Sequence, residues 1–176
     1  SGYNVMVSQT NESYDTEVGI ISSFLKSRVD GLLISPSKHT NKYDHIKEFI
    51  GKGLPVVMFN RIVSDLEVPT VTVNDRRGAY EATDYLISTG CKNIAHISGP
   101  KTLLLCKQRK EGYLECMKDN DLPVRDEWIF DSDFSVESGI RAAEDILKLG
   151  ALPDAVFCIC DSVAIGAMIT FKKRGI

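Results

Sequence analysis

The sequence predicts an α/β fold in which parallel sheets are covered by helices. Three observations carry this. Short apolar runs alternate with stretches of helical period along the whole chain. The runs are apolar throughout rather than half polar, as strands covered on both faces are. The strand-helix rhythm breaks near Asn74-Asp75 and then resumes, which makes that point the best place for a passage between two lobes.

Taken in order, Tyr3 to Val7 reads as a strand. Tyr14, Val18, Ile21 and Leu25 recur at +4, +3 and +4 and form one face of a helix. Gly31 to Pro36 is a buried strand that ends at proline. Tyr43, Ile46 and Ile50 mark a helix that Gly51 to Gly53 stop. Pro55 to Phe59 is a strand, and Val68 to Val73 is a shorter one. A helix over Gly78 to Ser88, with Ala79, Ala82 and Leu86 inward, stops at Gly90. The second half repeats the pattern. Strands cover Asn93 to Ser98, Trp128 to Phe130 and Ala155 to Cys160. Helices cover Thr102 to Lys118, Ser135 to Leu149 (Val136, Ile140, Ala143 and Leu147 inward) and Ser162 to Arg174 (Ala164, Ala167, Met168 and Phe171 inward).

Composition narrows the function classes. With 43% hydrophobic and 26% charged residues among 176, the chain reads as an ordinary folded domain. A net charge of −3 with mixed signs leaves no basic face for nucleic acid, since Lys172-Lys173-Arg174 is explained by a helix end. No apolar run approaches the ~20 residues of a membrane span, so no membrane partner is expected. Five cysteines without regular spacing argue against a disulfide framework and suit a reducing cytoplasm. Cys158 and Cys160 point to one strand face, and core packing explains Cys158 better than half a zinc site. His39, His45 and His96 lie in dissimilar places, and His96 reads as a packed or partly exposed strand residue rather than a base. There is no nucleophile elbow, phosphate loop or dinucleotide fingerprint. We expect no catalytic residue, no metal and no cofactor.

In open parallel sheets ligands bind at the carboxyl ends of the strands. The residues there are Ser35-Pro36, Asn60-Arg61, Gly99-Pro100, Asp131, Asp133 with Phe134, and Cys160 with Asp161. Polar groups with an aromatic ring suit a polyhydroxylated ligand, which needs donors, acceptors and a surface for its apolar face. Helix capping is the alternative for Ser35, Asp131 and Asp161. Arg109 lies on an apolar stripe with Leu105, Gly112, Tyr113 and Cys116, so its guanidinium needs a ligand or a salt-bridge partner.

Several segments, in order and spacing, resemble the effector-binding core of LacI/GalR transcription regulators. They are Arg28 to Pro36, Gly53 to Arg61, Val73-Asn74-Asp75 with Gly78-Ala79, and His96 to Pro100. Arg109 with Gly112-Tyr113, Asp133-Phe134-Ser135 with Ser138-Gly139, and Asp161 with Ala164, Gly166 and Ala167 complete the series. The resemblance implies two similar doubly wound lobes of periplasmic-binding-protein type I, joined by a hinge, with the effector between them. It places residues 1–74 in the N-terminal lobe and 75–176 in the C-terminal lobe, and implies that both ends of the core are incomplete here. It implies ligand-binding roles for Ser35, Asn60, Arg61, Arg109, Phe134, Cys160 and Asp161. Asn60 stands where a carboxylate is usual and Cys160 where a polar residue is common, so a plain hexose is not assumed. The implied partners are a sugar-like effector, a second copy in a homodimer, and operator DNA reached through a helix-turn-helix upstream of Ser1. A periplasmic sugar-binding protein of a transporter shares the fold, and an enzyme on a doubly wound fold is the other rival.

Overall fold

The structure is a computed structural model in which residues 2–176 are described. The chain divides into two compact units, residues 1–73 and 74–176. Each is described on its own.

In the first unit, helix α1 (Tyr14–Lys26) is followed by β1 (Leu32–Ile34), α2 (Asp44–Gly51), β2 (Val56–Phe59) and β3 (Thr70–Val71). The three strands form a parallel sheet in that order, with Leu32 opposite Val56 and Met58 opposite Thr70. Ser13 caps α1, its side chain accepting from the Thr16 amide. Gly53 ends α2 in a left-handed turn, where Gly53 and Leu54 return amide bonds to Ile50 and Phe49. The core gathers Ile21 of α1, Ile46 and Phe49 of α2, and Leu32, Ile34, Val56 and Met58 of the sheet.

Three expectations change here. Tyr3 to Val7 forms no strand, and Val5 and Val7 are more than four-fifths exposed. An apolar run supplies the side-chain pattern of a strand, but a strand also needs a partner edge. Second, β1 is buried on one face only, with Leu33 73% exposed. Both helices of this unit pack on the face that carries Leu32 and Ile34. Third, only Thr70 and Val71 of the 68–73 segment join the sheet.

The second unit runs α3 (Asp75–Ser88), β4 (Ile94–Ser98), α4 (Leu104–Asp119), a 3-10 turn at Asp126–Trp128, β5 (Ile129–Asp131), α5 (Val136–Ile146), β6 (Ala155–Cys158) and α6 (Asp161–Lys173). Its parallel sheet has the order β5-β4-β6. Every residue of central β4 is buried, so this sheet is covered on both faces as expected. Ala95 and Ile97 meet Ala142, Ala143 and Ile146 of α5 and Val163 and Ala167 of α6. Ile94 meets Tyr113 and Met117 of α4 on the other face. Gly90 ends α3 at φ 100°, with Gly90 and Cys91 donating back to Ile87 and Leu86.

The inward faces of the helices differ from the periodicity reading. In α3 the buried residues are Asp75, Ala79 and Thr83, while Ala82 is exposed. In α5 they are Ser138, Gly139, Ala142, Ala143 and Ile146. In α6 Val163, Gly166, Ala167 and Thr170 are buried, and Met168 is exposed. The cause is helix-on-helix packing through small residues. A Cβ on Gly139 would sit 2.2 Å from the Val163 carbonyl oxygen, and one on Gly166 2.1 Å from that of Val136. Contact this close selects glycine, alanine and serine over the bulky residues that a hydrophobic count favours.

His96 is fully buried in β4, packed rather than partly exposed, and its ring stacks against those of Tyr113 and Phe157. Its Nδ1 lies 2.9 Å from the Phe157 carbonyl oxygen, and its Nε2 has no partner. Burial pushes its pKa down to about 4. The unfolded chain therefore binds this proton more readily than the folded one, and stability is full above about pH 6.5 and declines as pH falls toward 4. We expect urea denaturation at pH 5 to show about 2 kcal/mol less stability than at pH 7 from this residue. His96→Phe should remove most of that difference, and an unchanged pH dependence would contradict it.

Candidate functional site

In the first unit, β1 and β2 end side by side. Ser35 follows β1, and Asn60 and Arg61 follow β2. Asn60 takes a left-handed φ of 59° while its amide donates to the Val71 carbonyl. This tight turn directs Arg61 toward the loop after β1, where its Nη1 donates to the Pro36 carbonyl at 3.2 Å. The guanidinium also grips Glu12 with both terminal nitrogens, at 2.7 and 2.8 Å. Glu12 in turn accepts from the Lys38 amide at 2.7 Å. Burial alone would raise the Glu12 carboxyl, but the Arg61 hydrogen bond, the Lys38 amide and the Arg61 charge outweigh it and hold it below the usual carboxylate range.

A second carboxylate anchors the same loop from inside. Glu17, 1% exposed, accepts from the Ser37 amide at 2.6 Å and the Thr40 hydroxyl at 3.1 Å. His45 Nε2 lies 2.8 Å from it. The loop that begins at Ser35 is thus held by two acids whose sequence positions give no hint of the role. Glu12 is 49 residues from Arg61, and Glu17 is 28 from His45.

In the second unit, Arg109 on α4 reaches across the sheet ends. Its Nε donates to Asp75 Oδ1 at 2.7 Å, and its Nη1 donates to the Ile159 carbonyl at 2.6 Å. Of the two readings of Arg109, the salt-bridge partner is present. The side chain remains about a quarter exposed with its other N–H groups available. Asp75, missed at the sequence level, is the first residue of α3 and its side chain is almost fully buried. Arg109, Cys160 and Asp161 line one cleft of about 430 Å³, together with Ala82, Leu86 and the outer edge of β6. Cys160 precedes α6 in extended conformation without a capping side-chain bond, and Asp161 is exposed at the first turn. Asp161 therefore does not cap α6. Asp131 closes β5, exposed and 3.1 Å from Lys101 Nζ, and does not cap α5 either, because Ser135 holds that position.

Phe134 does not line this cleft. It stands at φ 71°, a strained conformation for an aromatic residue. Asp133 accepts from the amide and the hydroxyl of Ser135, closing the turn around it. The ring lies over Gly99, where a Cβ would come within 2.7 Å of both the ring and Cys106 Sγ. The Ser98-Gly99-Pro100 segment is thus the floor on which Phe134 rests. Burial pushes the Cys158 thiol up to about 12, which leaves it protonated and inert. Among the described residues no group of three His, Cys, Asp or Glu side chains could hold a metal ion, and no helix is long and apolar enough to cross a membrane.

Each unit is thus a parallel α/β sheet with charged and polar side chains gathered at its strand ends, where open sheets of this class bind ligands. The chain belongs to the family of periplasmic binding proteins and sugar-binding domains of LacI regulators, whose model matches residues 1–176. It is 34% identical over 175 residues to the HTH-type transcriptional repressor PurR of Actinobacillus pleuropneumoniae serotype 5b (strain L20), covering 99% of this chain and 52% of that protein. Among solved structures it is similar to the transcription regulator CcpA of Lactococcus lactis (TM-score 0.85, 26% identity, 99% of this chain and 63% of that one). It is also similar to the Cra regulator of Pseudomonas putida in complex with fructose 1-phosphate (TM-score 0.85, 25% identity, 98% and 63%). The chain spans about half the length of the curated relatives it matches.

Proposed function

We propose that this chain is the effector-sensing part of a LacI-type transcription regulator. It binds a sugar or a similar small polar ligand and thereby switches operator binding by a dimer. The observation that carries the reading is Arg109, held in place by Asp75 and the Ile159 carbonyl with part of its fork open at the strand ends. Arg109 donates to ligand oxygens, and Asp161 accepts from ligand hydroxyls. Phe134 offers a ring for the apolar face of a sugar. Cys160 supplies a softer contact, and Ser35, Asn60 and Arg61 are the polar residues that the first unit offers at its own strand ends. The solved Cra relative with fructose 1-phosphate supports a sugar-type ligand for this fold. Operator DNA is met by a helix-turn-helix of the kind the relatives' names denote, in the cytoplasm, and the protein has no catalytic task. The ligand acts through its differential affinity for two arrangements of the protein.

The test is calorimetric titration of the intact protein against a panel of sugars, sugar phosphates and nucleosides. Arg109→Lys keeps a cation for Asp75 but loses the planar fork. We expect it to weaken the best ligand by roughly tenfold or more with little change in melting temperature. Unchanged affinity would remove Arg109 from the site.

A further inference from the structure

We infer that Arg61 serves the effector site by positioning and not by contact. With Glu12 it forms a latch that ties three loops of the first unit into one platform carrying Ser35. The inference rests on the reading that these strand ends face the effector.

Both terminal nitrogens of Arg61 are occupied inside the unit. They reach the Glu12 carboxylate at 2.7 and 2.8 Å, and Nη1 also reaches the Pro36 carbonyl at 3.2 Å. The Arg61 side chain is 17% exposed. A ligand hydroxyl offers one oxygen where Glu12 offers two and a full charge, so Glu12 wins the competition for this fork. The backbone shows the same commitment from the other side. Asn11 and Glu12 both take left-handed φ, 49° and 62°, in a turn closed by the Ser13 amide on the Thr10 carbonyl at 3.1 Å. Asparagine tolerates that region, but a glutamate has no local reason to enter it. Such a conformation persists where outside contacts over-determine it. Here those contacts are Arg61 and the Lys38 amide. Asn60, the neighbour of Arg61, is left-handed too, at 59°. Bent backbone therefore aims both partners of the latch.

What the latch holds is the loop between β1 and α2. Arg61 takes the Pro36 carbonyl and Glu12 takes the Lys38 amide, one and three residues past Ser35. Glu17 holds the same loop independently, through the Ser37 amide and the Thr40 hydroxyl, and is itself joined to His45 of α2. The two anchors differ in kind. Glu17 is 1% exposed and fastens the loop to the helices. The latch fastens it to the turn after β2 and to the turn before α1. Without the latch the loop stays folded on Glu17, but its Pro36–Lys38 edge is released. A released edge must be ordered again when a ligand binds, which weakens affinity without any lost contact.

The experiment is a double-mutant cycle on the intact protein with Glu12→Ala, Arg61→Ala and the double variant. Calorimetry reads binding, with glucose, fructose 1-phosphate, ribose and adenosine as probes, and melting temperature reads folding. For the probe that binds the wild type best, each single variant should weaken affinity by roughly fivefold, and the double variant by no more than about fivefold. Hydrogen exchange without ligand is the second readout. Glu12→Ala should speed exchange of the Lys38 amide by roughly tenfold and leave the Ser37 amide, held by Glu17, within about threefold. If Glu12→Ala folds poorly, Glu12→Gln, which keeps an acceptor for the Lys38 amide, carries the same expected direction. Lost affinity in Arg61→Ala with kept or raised affinity at Glu12 would make Arg61 a direct contact and overturn the inference, leaving the effector reading intact. Unchanged affinity in both single variants would make the pair merely structural and overturn it as well. An unaltered Lys38 amide would show that the latch does not hold the loop. Failure of every probe to bind the wild type would instead remove the effector reading on which the inference stands.

Discussion

Gly166→Ala is expected to lower the stability of the second unit by about 3 kcal/mol, near the upper end for overpacking substitutions. Its Cβ would stand 2.1 Å from the Val136 carbonyl oxygen and 2.9 Å from the Ile140 amide nitrogen. Both are backbone atoms of α5, so no side-chain rotation relieves the clash. The helices must separate by about an ångström, which also loosens Ala142, Ala143, Val163 and Ala167 around β4. For a unit of this size the melting temperature should fall by roughly 12–20 °C, read by circular dichroism. Gly150, which has open space around it, is the control, and its alanine variant should melt near the wild type. A drop below about 4 °C for Gly166→Ala would mean that α5 and α6 can slide apart at little cost.

The second large effect is expected at Arg109. Arg109→Ala removes the partner of a buried carboxylate and the donor to the Ile159 carbonyl at once. An unpaired charge inside the fold is costly, and the variant should lose about 3 kcal/mol. Because much of that cost belongs to the stranded Asp75, the double variant Asp75→Ala/Arg109→Ala should recover a large part of it, a coupling of about 1–2 kcal/mol. Effector affinity should stay lost in the double variant. Chemical denaturation with titration on the same three proteins separates the two roles. Additive losses in stability would show that the pair contributes little to the fold.

The strands and helices of the second unit were legible because their signals are local. Apolar runs mark β4 and β6, and Gly90 sits where α3 must stop. The α/β class and the family were equally legible, since ordered short segments such as Ser98-Gly99-Pro100 survive without any knowledge of contacts. Which faces of α5 and α6 turn inward was not legible. Hydrophobic periodicity selects bulky residues, whereas these helices meet through Gly139 and Gly166. The segment from Tyr3 to Val7 has the pattern of a strand and lacks a paired edge.

The candidate site divides in the same way. Strand-end position made Ser35, Asn60, Arg61, Phe134, Cys160 and Asp161 candidates, an apolar helix stripe made Arg109 one, and the family resemblance supplied the ligand-binding roles expected of all seven. The acids that define those arginines were invisible. Glu12 meets Arg61 from 49 residues away and Asp75 meets Arg109 from 34, and no local periodicity links such positions. The sequence by itself determined the fold class, the family and the cations at the strand ends, all of which depend on local order along the chain. Only the tertiary structure decided that those cations are already answered by carboxylates, because ion pairing depends on distance in space, and folding alone sets that distance.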